Sequence, residues 1–301
     1  MRKIALLLVS VFIAVTLNAQ KICSGKCKSE QVDRANEALF LSNQRIDELK
    51  SLHIPYGKPK NNMNKDIVLL VQEEFVVGYD TVLNLPVWTS YLLTADWAND
   101  ELRRKDCFRD DPRLNSTNQQ INCDYYKKSN FDRGHLSPRD DFNRSETAQF
   151  NTFLFSNMIP QYPKHNRGTW KYLEGYINDL ARTLDSVYIV TGIAFDYDGN
   201  GLPDNKDSLP VIKKEVKPLA IPSYLYKIVL HRESDSTFKA IAIMTPHNNL
   251  KRTKKKSFTY LKNECLVSID EIENISGFNF FWKLENPLED PLEAKSENDL
   301  W

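Results

Sequence analysis

The residues best suited to chemistry lie in two short motifs near the middle of the chain. The first is Asp132-Arg133-Gly134-His135, and the second begins at Asn166 and ends at Glu174. A neutral imidazole can take a proton from water near pH 7, amide and carboxylate oxygens are ligands that Mg²⁺ accepts, and arginine binds anionic oxygens. Together these groups suit the hydrolysis of a phosphodiester, whose phosphorus is shielded by negative oxygens and whose leaving group is an alkoxide.

The elements that must position these motifs can be predicted from residue patterns. Apolar residues recur at helical spacing over residues 147–155, 167–184 and 267–276. Short β-branched and aromatic runs separated by turn residues predict strands at residues 67–71, 75–80, 86–93, 186–191, 223–230 and 238–244. The predicted fold class is α+β, with a mixed, mainly antiparallel sheet flanked by helices.

The N-terminus has the composition of a secretory signal peptide. Arg2 and Lys3 precede an apolar run over residues 4–17 and a small-residue segment that contains Ala19. The run is shorter than the roughly 20 residues that span a bilayer as a helix. A lipoprotein is the disfavoured alternative, because no small-residue lipidation box precedes Cys23. We therefore expect export to the periplasm or the medium, with no membrane in the mature form.

The rest of the chain divides by composition. We expect a signal peptide over residues 1–19, a polar N-terminal extension over 20–65, one large domain over 66–286 and a loose acidic tail over 287–301. In an oxidising compartment cysteines pair by default, so the predicted disulfides are the sequence-local pairs Cys23–Cys27 and Cys107–Cys123, with Cys265 unpaired and buried. The 40 basic and 40 acidic residues cancel, so any surface for nucleic acid must be local.

Besides the two motifs, four further segments are informative in their order along the chain. They are residues 155–161 (Phe-Ser-Asn-Met-Ile-Pro-Gln), residues 190–192, residues 221–222 before Tyr226-Lys227, and residues 277–281. In these residues the chain resembles the DNA/RNA non-specific endonucleases, the family of secreted bacterial sugar-non-specific nucleases and mitochondrial endonuclease G. The resemblance covers residues 64–284, so the domain at 66–286 would be the nuclease domain. It implies a ββα-metal active site, one catalytic Mg²⁺ with Mn²⁺ as an alternative, and DNA and RNA as partners.

The resemblance assigns roles to three residues. His135 would be the general base that activates water, and Asn166 would be the direct protein ligand of the metal. A helix N-cap is the alternative role for Asn166. Glu174 follows Asn166 by eight residues, roughly 12 Å along a helix axis, which is too far for two ligands of one ion. Glu174 is therefore expected to hold a metal-bound water or a neighbouring side chain.

The remaining catalytic and substrate-binding predictions concern charged side chains and one tryptophan. Arg133 is expected to contact the scissile phosphate. Family members carry an upstream arginine near the site; we choose Arg104, while Arg103 and Arg109 remain open. Asp132 would orient its loop through hydrogen bonds or ion pairing. The predicted substrate-binding residues are Asp132, Arg167, Trp170, Lys254, Lys255 and Lys256, the three lysines lying in a basic loop.

A second metal is predicted in the segment after residue 195. Asp196, Asp198, Asn200 and Asp207 place oxygen donors at the spacing of a calcium loop. The alternative is a turn at Asn200-Gly201, since the terminal glutamate and a flanking helix pair are missing.

The sequence therefore predicts an exported, Mg²⁺-dependent endonuclease that cleaves DNA and RNA and leaves 5′-phosphate ends. One alternative is a phosphodiesterase restricted to one nucleic acid or acting on another phosphodiester. The other is a secreted nucleic-acid-binding module without catalysis.

Overall fold

The computed structural model describes residues 22–23, 27–62, 67–98, 102–114, 121–212 and 218–301, apart from the side chains of residues 286 and 287. The predicted signal peptide lies outside these ranges. Within them the α-helices are α1 (Ser29–Glu37), α2 (Asn43–His53), α3 (Ala95–Ala98), α4 (Cys123–Tyr126), α5 (Glu146–Asn151), α6 (Lys171–Leu184), α7 (Lys254–Glu264), α8 (Ile269–Ser276) and α9 (Asn286–Glu293).

The strands in chain order are β1 (Lys60–Asn61), β2 (Ile67–Val71), β3 (Val76–Asp80), β4 (Leu85–Thr94), β5 (Asp132–His135), β6 (Met158–Gln161), β7 (Ser186–Ala194), β8 (Val211–Ile212), β9 (Leu219–Ala220), β10 (Tyr224–Arg232), β11 (Phe238–Pro246), β12 (Leu266–Val267) and β13 (Phe278–Asn279). A π-helical turn at His165–Trp170 leads into α6. Short 3₁₀ turns occur at Arg139–Phe142, Phe155–Asn157 and Lys206–Ser208.

The main sheet has seven strands in the order β12-β11-β10-β7-β4-β3-β2, and every neighbouring pair is antiparallel. Its central strands are buried almost throughout, as their apolar composition requires. The predicted α+β fold class is confirmed, and each of the six predicted strands is present, with ends that differ from the prediction by at most three residues.

Helix α6 packs one side onto this sheet. Leu173, Ile177, Leu180 and Ala181 are buried at three- and four-residue steps, which is the spacing from which the helix was predicted. The helix predicted at 147–155 is shorter, because α5 ends at Asn151 and a 3₁₀ turn follows. The lysines at 254–256, predicted to lie in a loop, instead form the first turn of α7, whose N-cap Thr253 accepts a hydrogen bond from the Lys256 backbone. That loop prediction was wrong.

The predicted disulfide pairs are also wrong. Cys23 is bonded to Cys123, and Cys27 to Cys107, with Cα–Cα distances of 5.6 and 5.7 Å. The pairing is decided by tertiary packing. Helix α1 packs against α5, so the N-terminal segment lies beside the domain and reaches cysteines that are distant in sequence. Cys265 is free and buried, as predicted.

The described segments before and after the main sheet are both attached to the large domain. In α2, the His53 Nδ1 atom accepts a hydrogen bond from the Leu92 backbone in the main sheet, and β1 pairs with β13. At the other end, the tail expected to be loose forms α9, and the Tyr176 hydroxyl donates a hydrogen bond to the backbone carbonyl of Trp301. Helices long and apolar enough to cross a membrane are absent from the described ranges.

Candidate active site

Strands β5 and β6 and helix α6 form a ββα unit. The two strands pair antiparallel, with Asp132 opposite Gln161 and His135 opposite Met158. A Cβ atom at Gly134 would lie 2.1 Å from the side-chain oxygen of Gln161. A larger residue would therefore push the strands apart, so glycine in this motif keeps His135 close to the second strand.

Seven of the predicted residues line one open cavity of about 950 Å³, namely Arg104, Asp132, Arg133, His135, Asn166, Arg167 and Glu174. Other residues of its wall are Asp106, Tyr126, Lys127, Arg139, Asp140 and Lys171. Its cations outnumber its carboxylates. A chain with no net charge therefore has a locally basic cavity suited to a polyanion.

His135 is held between aromatic rings at the wall of this cavity. Its ring lies 5.0 Å from that of Phe153 in an edge-on arrangement and 6.0 Å from that of Phe108. The Nε2 atom is buried and has no hydrogen-bond partner among the described residues. In the neutral ring one of the two nitrogens keeps a lone pair that can accept a proton.

The electrostatic surroundings favour this neutral form. Burial is the main reason that the pKa of His135 falls to about 3, and the nearby guanidinium of Arg104 lowers it further, while Asp106 partly opposes the change. With this pKa the ring stays neutral well below pH 7.

The pH dependence of kcat/KM should show this shift. Because the pKa of His135 is depressed, the protonated, inactive form accumulates only at acid pH, and kcat/KM should not fall with a midpoint near the usual value of about 6.5. The measurement is kcat/KM from pH 4.5 to 8 at constant Mg²⁺ and ionic strength, with the melting temperature followed at each pH. An acid limb centred near 6.5 in protein that is still folded would contradict this interpretation.

One hydrogen bond fixes the orientation of the Asn166 side-chain amide. Its Nδ2 atom donates a hydrogen bond to Asp132 Oδ2 at 2.9 Å, so its oxygen must face the opposite way. The described part of the chain provides no donor to that oxygen. A neutral hard oxygen at a cavity wall is a ligand type that Mg²⁺ uses, so this residue fits the metal that the fold implies.

Asp132 orients this part of the site. Besides Asn166, its carboxylate accepts hydrogen bonds from Arg167 at 2.8 Å (Nε) and 2.6 Å (Nη2). This bidentate pair raises the pKa of Arg167. Because both carboxylate oxygens are engaged, Asp132 positions its neighbours and is poorly suited to touch a phosphate itself.

The N-cap alternative for Asn166 was wrong. Asn166 lies inside the π-helical turn, which Lys164 precedes, and its backbone N–H donates to the Tyr162 carbonyl. Gly168, with φ −116° and ψ −109°, departs from helical geometry within this turn. The spacing from Asn166 to Glu174 on a straight helix therefore does not apply, and the irregular turn lets both side chains line the same cavity.

Glu174 lies above a buried polar network. Burial raises its pKa, whereas the fully buried Lys227 acts in the opposite direction. The Lys227 Nζ atom donates to Thr191 Oγ1 at 2.7 Å on the neighbouring strand β7. Asp141, which is also buried, accepts hydrogen bonds from Tyr91 at 2.6 Å and Asn178 at 3.3 Å. The base of the cavity is thus a fixed polar layer and not a purely apolar core.

The structure distinguishes the three arginine alternatives. Arg104 lines the cavity, with its guanidinium 5.4 Å from the Phe153 ring and its Nε bonded to Asp106. Arg109 is fully buried and binds Asn36, Asn151 and the Phe150 carbonyl, so it cannot reach a substrate. Arg103 is not part of the cavity wall. The other predicted arginine, Arg133, lies 3.8 Å above the Phe108 ring and faces the same cavity.

One substrate-binding prediction is wrong, and another stays a prediction. Trp170 is fully buried, stacked 5.7 Å from the His165 ring, and cannot contact nucleic acid. Trp170 is the last residue of the π-helical turn before α6, and its side chain lies in the core. The lysines at 254–256 are exposed at the start of α7, outside the cavity wall, so any contact they make with substrate is peripheral.

The predicted calcium residues are only partly brought together. Asp196 and Asp198 place carboxylate oxygens within 4.8 Å of each other and of Asp204, which takes the place expected for Asp207. The Asn200 backbone N–H bonds to both Asp196 and Asp198, and the Asn200 side-chain oxygen accepts a hydrogen bond from the Leu202 backbone. These bonds hold the loop as a turn, and calcium binding there stays a prediction.

The sequence interpretation gave no role to Asn157. Its side chain accepts a hydrogen bond from the Ser137 backbone N–H and donates to the carbonyls of Ser137 and Thr152. It thereby fastens the segment after His135 to the segment before β6. The available signal was its place in the segment at 155–161, but hydrogen-bond partners cannot be identified from such a segment.

The ββα unit and the basic, base-containing cavity define a hydrolytic nuclease of the ββα-metal type. Residues 54–286 match the family described as DNA/RNA non-specific endonuclease, and the chain belongs to this family. It is 26% identical over 262 residues to a protein named Nuclease from Nostoc sp., covering 82% of this chain and 87% of that protein.

Two further relatives differ in length. Nuclease C1 of Cunninghamella echinulata var. echinulata is 31% identical over 223 residues, covering 72% of this chain and 83% of its own. Venom phosphodiesterase CdcPDE of Crotalus durissus collilineatus is 26% identical over 290 residues, covering 90% of this chain. The chain spans only 35% of that last relative, so the match concerns one part of a longer protein.

Proposed function

We propose that this protein is an exported, Mg²⁺-dependent endonuclease that hydrolyses both DNA and RNA with little sequence preference. The observation that carries the proposal is the meeting of three groups in one basic cavity: the His135 ring, the oriented Asn166 amide and the guanidinium of Arg133. Membership of the family supports the reaction class.

In the proposed mechanism His135 takes the proton from the water that attacks phosphorus. Arg133 and Arg104 hold the non-bridging oxygens and oppose the negative charge that grows in the transition state. Asn166 and, through its neighbours, Glu174 would hold the metal. When bound, Mg²⁺ supplies charge neutralisation at the phosphate and at the leaving 3′-oxygen. Departure of that oxygen leaves a 5′-phosphate on the product.

Weak sequence preference follows from the chemistry of the cavity. Its polar groups suit phosphate oxygens, which are the same at every position of a nucleic acid. Trp170, the aromatic residue predicted to bind substrate, is buried. Contacts to the backbone position the strand but do not identify its bases.

Export is proposed from two features. The N-terminal segment has the composition of a signal peptide, and two disulfides cross-link the first described residues to the domain. Disulfides persist in the periplasm and outside the cell and are rare in reducing compartments.

The test of the function uses purified protein with supercoiled plasmid and, separately, ribosomal RNA. We expect both to be cleaved in the presence of Mg²⁺ or Mn²⁺, cleavage to stop with EDTA, and excess Mg²⁺ to restore it. Binding without cleavage would support the non-catalytic module instead. Cleavage of only one substrate would support the restricted phosphodiesterase.

The lysines of α7 lead to a prediction about salt dependence. Replacing Lys254, Lys255 and Lys256 with serine should raise KM while leaving kcat at saturation almost unchanged, because these side chains lie outside the cavity wall. Every lysine–phosphate ion pair that the substitution removes should reduce the slope of log affinity against log salt by about 0.9 on duplex DNA. The measurement is KM across a series of KCl concentrations.

A matched control for this charge change is Lys262→Ser, at the other end of the same helix, where the lysine pairs with Asp299. It should leave both KM and the salt slope unchanged. If the triple variant behaves like this control, α7 is only a solvated surface, and the groove must be formed by the cations of the cavity itself.

A further inference from the structure

A second group of carboxylates lies at the junction of α8 and α9. Asp270 and Glu273 are three residues apart on α8, and Glu293 is the last residue of α9. One carboxylate oxygen from each lies within 4.8 Å of the other two. None of these residues lines the active-site cavity, so the chemistry proposed above does not account for them.

The burial of Glu293 distinguishes this group from an ordinary acidic surface. Glu293 is only 5% exposed, and its Oε1 atom is buried with no hydrogen-bond partner in the described ranges. A buried carboxylate oxygen without a partner is costly, because it has given up its hydration and received no hydrogen bond in return. A carboxylate with such an oxygen, and with one of its oxygens within 4.8 Å of two further carboxylates, requires a proton or a cation.

Nearby negative charge increases the need for a proton or a cation at Glu293. Glu289 of α9 adds further negative charge around Glu293. The Oε1 atom of Glu273 accepts a hydrogen bond from the Phe280 backbone. None of the described salt bridges includes Asp270, Glu273 or Glu293.

We propose that Asp270, Glu273 and Glu293 bind one Ca²⁺ ion, which joins the C-terminal helix α9 to α8. Oxygens up to 4.8 Å apart can share a Ca²⁺ ion, whose ligands lie about 2.3–2.6 Å from its centre in flexible geometry. Mg²⁺ requires shorter, near-octahedral bonds and keeps more of its water, so carboxylates on two separate helices suit it less.

The site would stabilise the C-terminus and take no part in catalysis. Helix α9 contributes Glu293 from its last residue, while Asp270 and Glu273 come from a helix fixed by a capping box at Ser268 and by Gly277 in the left-handed conformation. Bound Ca²⁺ would therefore hold the more peripheral helix against the better anchored one.

The experiment compares the melting temperature of full-length protein, freed of calcium with EGTA and kept in constant Mg²⁺, as Ca²⁺ is added. The wild type should gain roughly 5 °C at a Ca²⁺ concentration about a hundred times the dissociation constant. Glu293→Gln should abolish this gain and bind Ca²⁺ at least about tenfold more weakly in equilibrium dialysis. Without Ca²⁺ it should melt no lower than the wild type, because it removes a buried charge.

Controls separate this site from other acidic groups. Asp290→Asn removes the same charge from an exposed position on the same helix and should keep the full response. Asp198→Asn tests the loop at residues 196–204 and should also keep it. Glu273→Gln retains an oxygen for the Phe280 backbone and should weaken binding as Glu293→Gln does.

The proposal is overturned if Ca²⁺ leaves the wild-type melting temperature unchanged. It is also overturned if both Glu273→Gln and Glu293→Gln keep the response, or if only Asp198→Asn abolishes it. If Ca²⁺ has no effect on the wild-type melting temperature, protons and not a cation hold the three carboxyl groups together. Nuclease activity does not enter any of these readouts, so the outcome is independent of the proposed function.

Discussion

Replacing His135 with alanine should lower the single-turnover rate of plasmid cleavage by about 10²–10⁴ while leaving substrate binding nearly unchanged. The base is used only in the chemical step, and its Nε2 atom makes no hydrogen bond within the described residues that the substitution would break. The variant does remove packing between Phe108 and Phe153, so a modest fall in melting temperature is expected. The measurements are single-turnover cleavage, filter binding in Ca²⁺ and thermal unfolding.

His231→Ala is a matched control, because His231 lies on β10 outside the cavity wall and bonds to the Ser186 carbonyl. It should cleave at the wild-type rate. If His135→Ala is as active as this control, the proposed base is wrong, and another group must activate the water.

Asn166→Ala and Glu174→Gln should affect the reaction in different ways. Asn166 offers its amide oxygen directly to the cavity, so its removal should raise the Mg²⁺ concentration for half-maximal activity. Glu174 is expected to act through neighbouring groups, so glutamine should lower the rate by about 10–100-fold with a smaller change in the Mg²⁺ requirement. The measurement is initial rate against Mg²⁺ concentration for each protein.

Asn274→Ala and Glu264→Gln make the same chemical changes at positions on α8 and α7 outside the cavity wall and should leave the titration unchanged. Asp132→Asn should partly reproduce the effect of Asn166→Ala, because Asp132 fixes the orientation of the Asn166 amide. Equal displacement of the Mg²⁺ titration in Asn166→Ala and Glu174→Gln, or none in either, would contradict the separate roles.

The fold was largely predictable because its signals are local. Strands such as β2 and β7 are apolar runs rich in β-branched residues, and α6 has a clear helical repeat, so their recognition does not depend on distant contacts. The motif around His135 could likewise be placed before a helix. Seven of the eleven predicted site residues line the cavity.

What could not be predicted depends on contacts between distant segments. The disulfides follow the packing of α1 against α5, which leaves no mark in cysteine spacing. Trp170 was predicted to bind substrate, yet its side chain is buried in the core. The π-helical turn at residues 165–170 has no periodic signature, although it decides where Asn166 points.

The Cys23–Cys123 disulfide has a consequence for the cell that makes this enzyme. Both cysteines border the active-site cavity, and their bond closes a loop of about 100 residues, which stabilises a folded protein by about 4.7 kcal/mol in the chain-entropy model. A newly made chain whose thiols are still reduced lacks this bond and the one between Cys27 and Cys107. Under the proposed export, these bonds would form only once the chain has left the reducing compartment, so the cavity wall would gain this stability away from the producer's own nucleic acids.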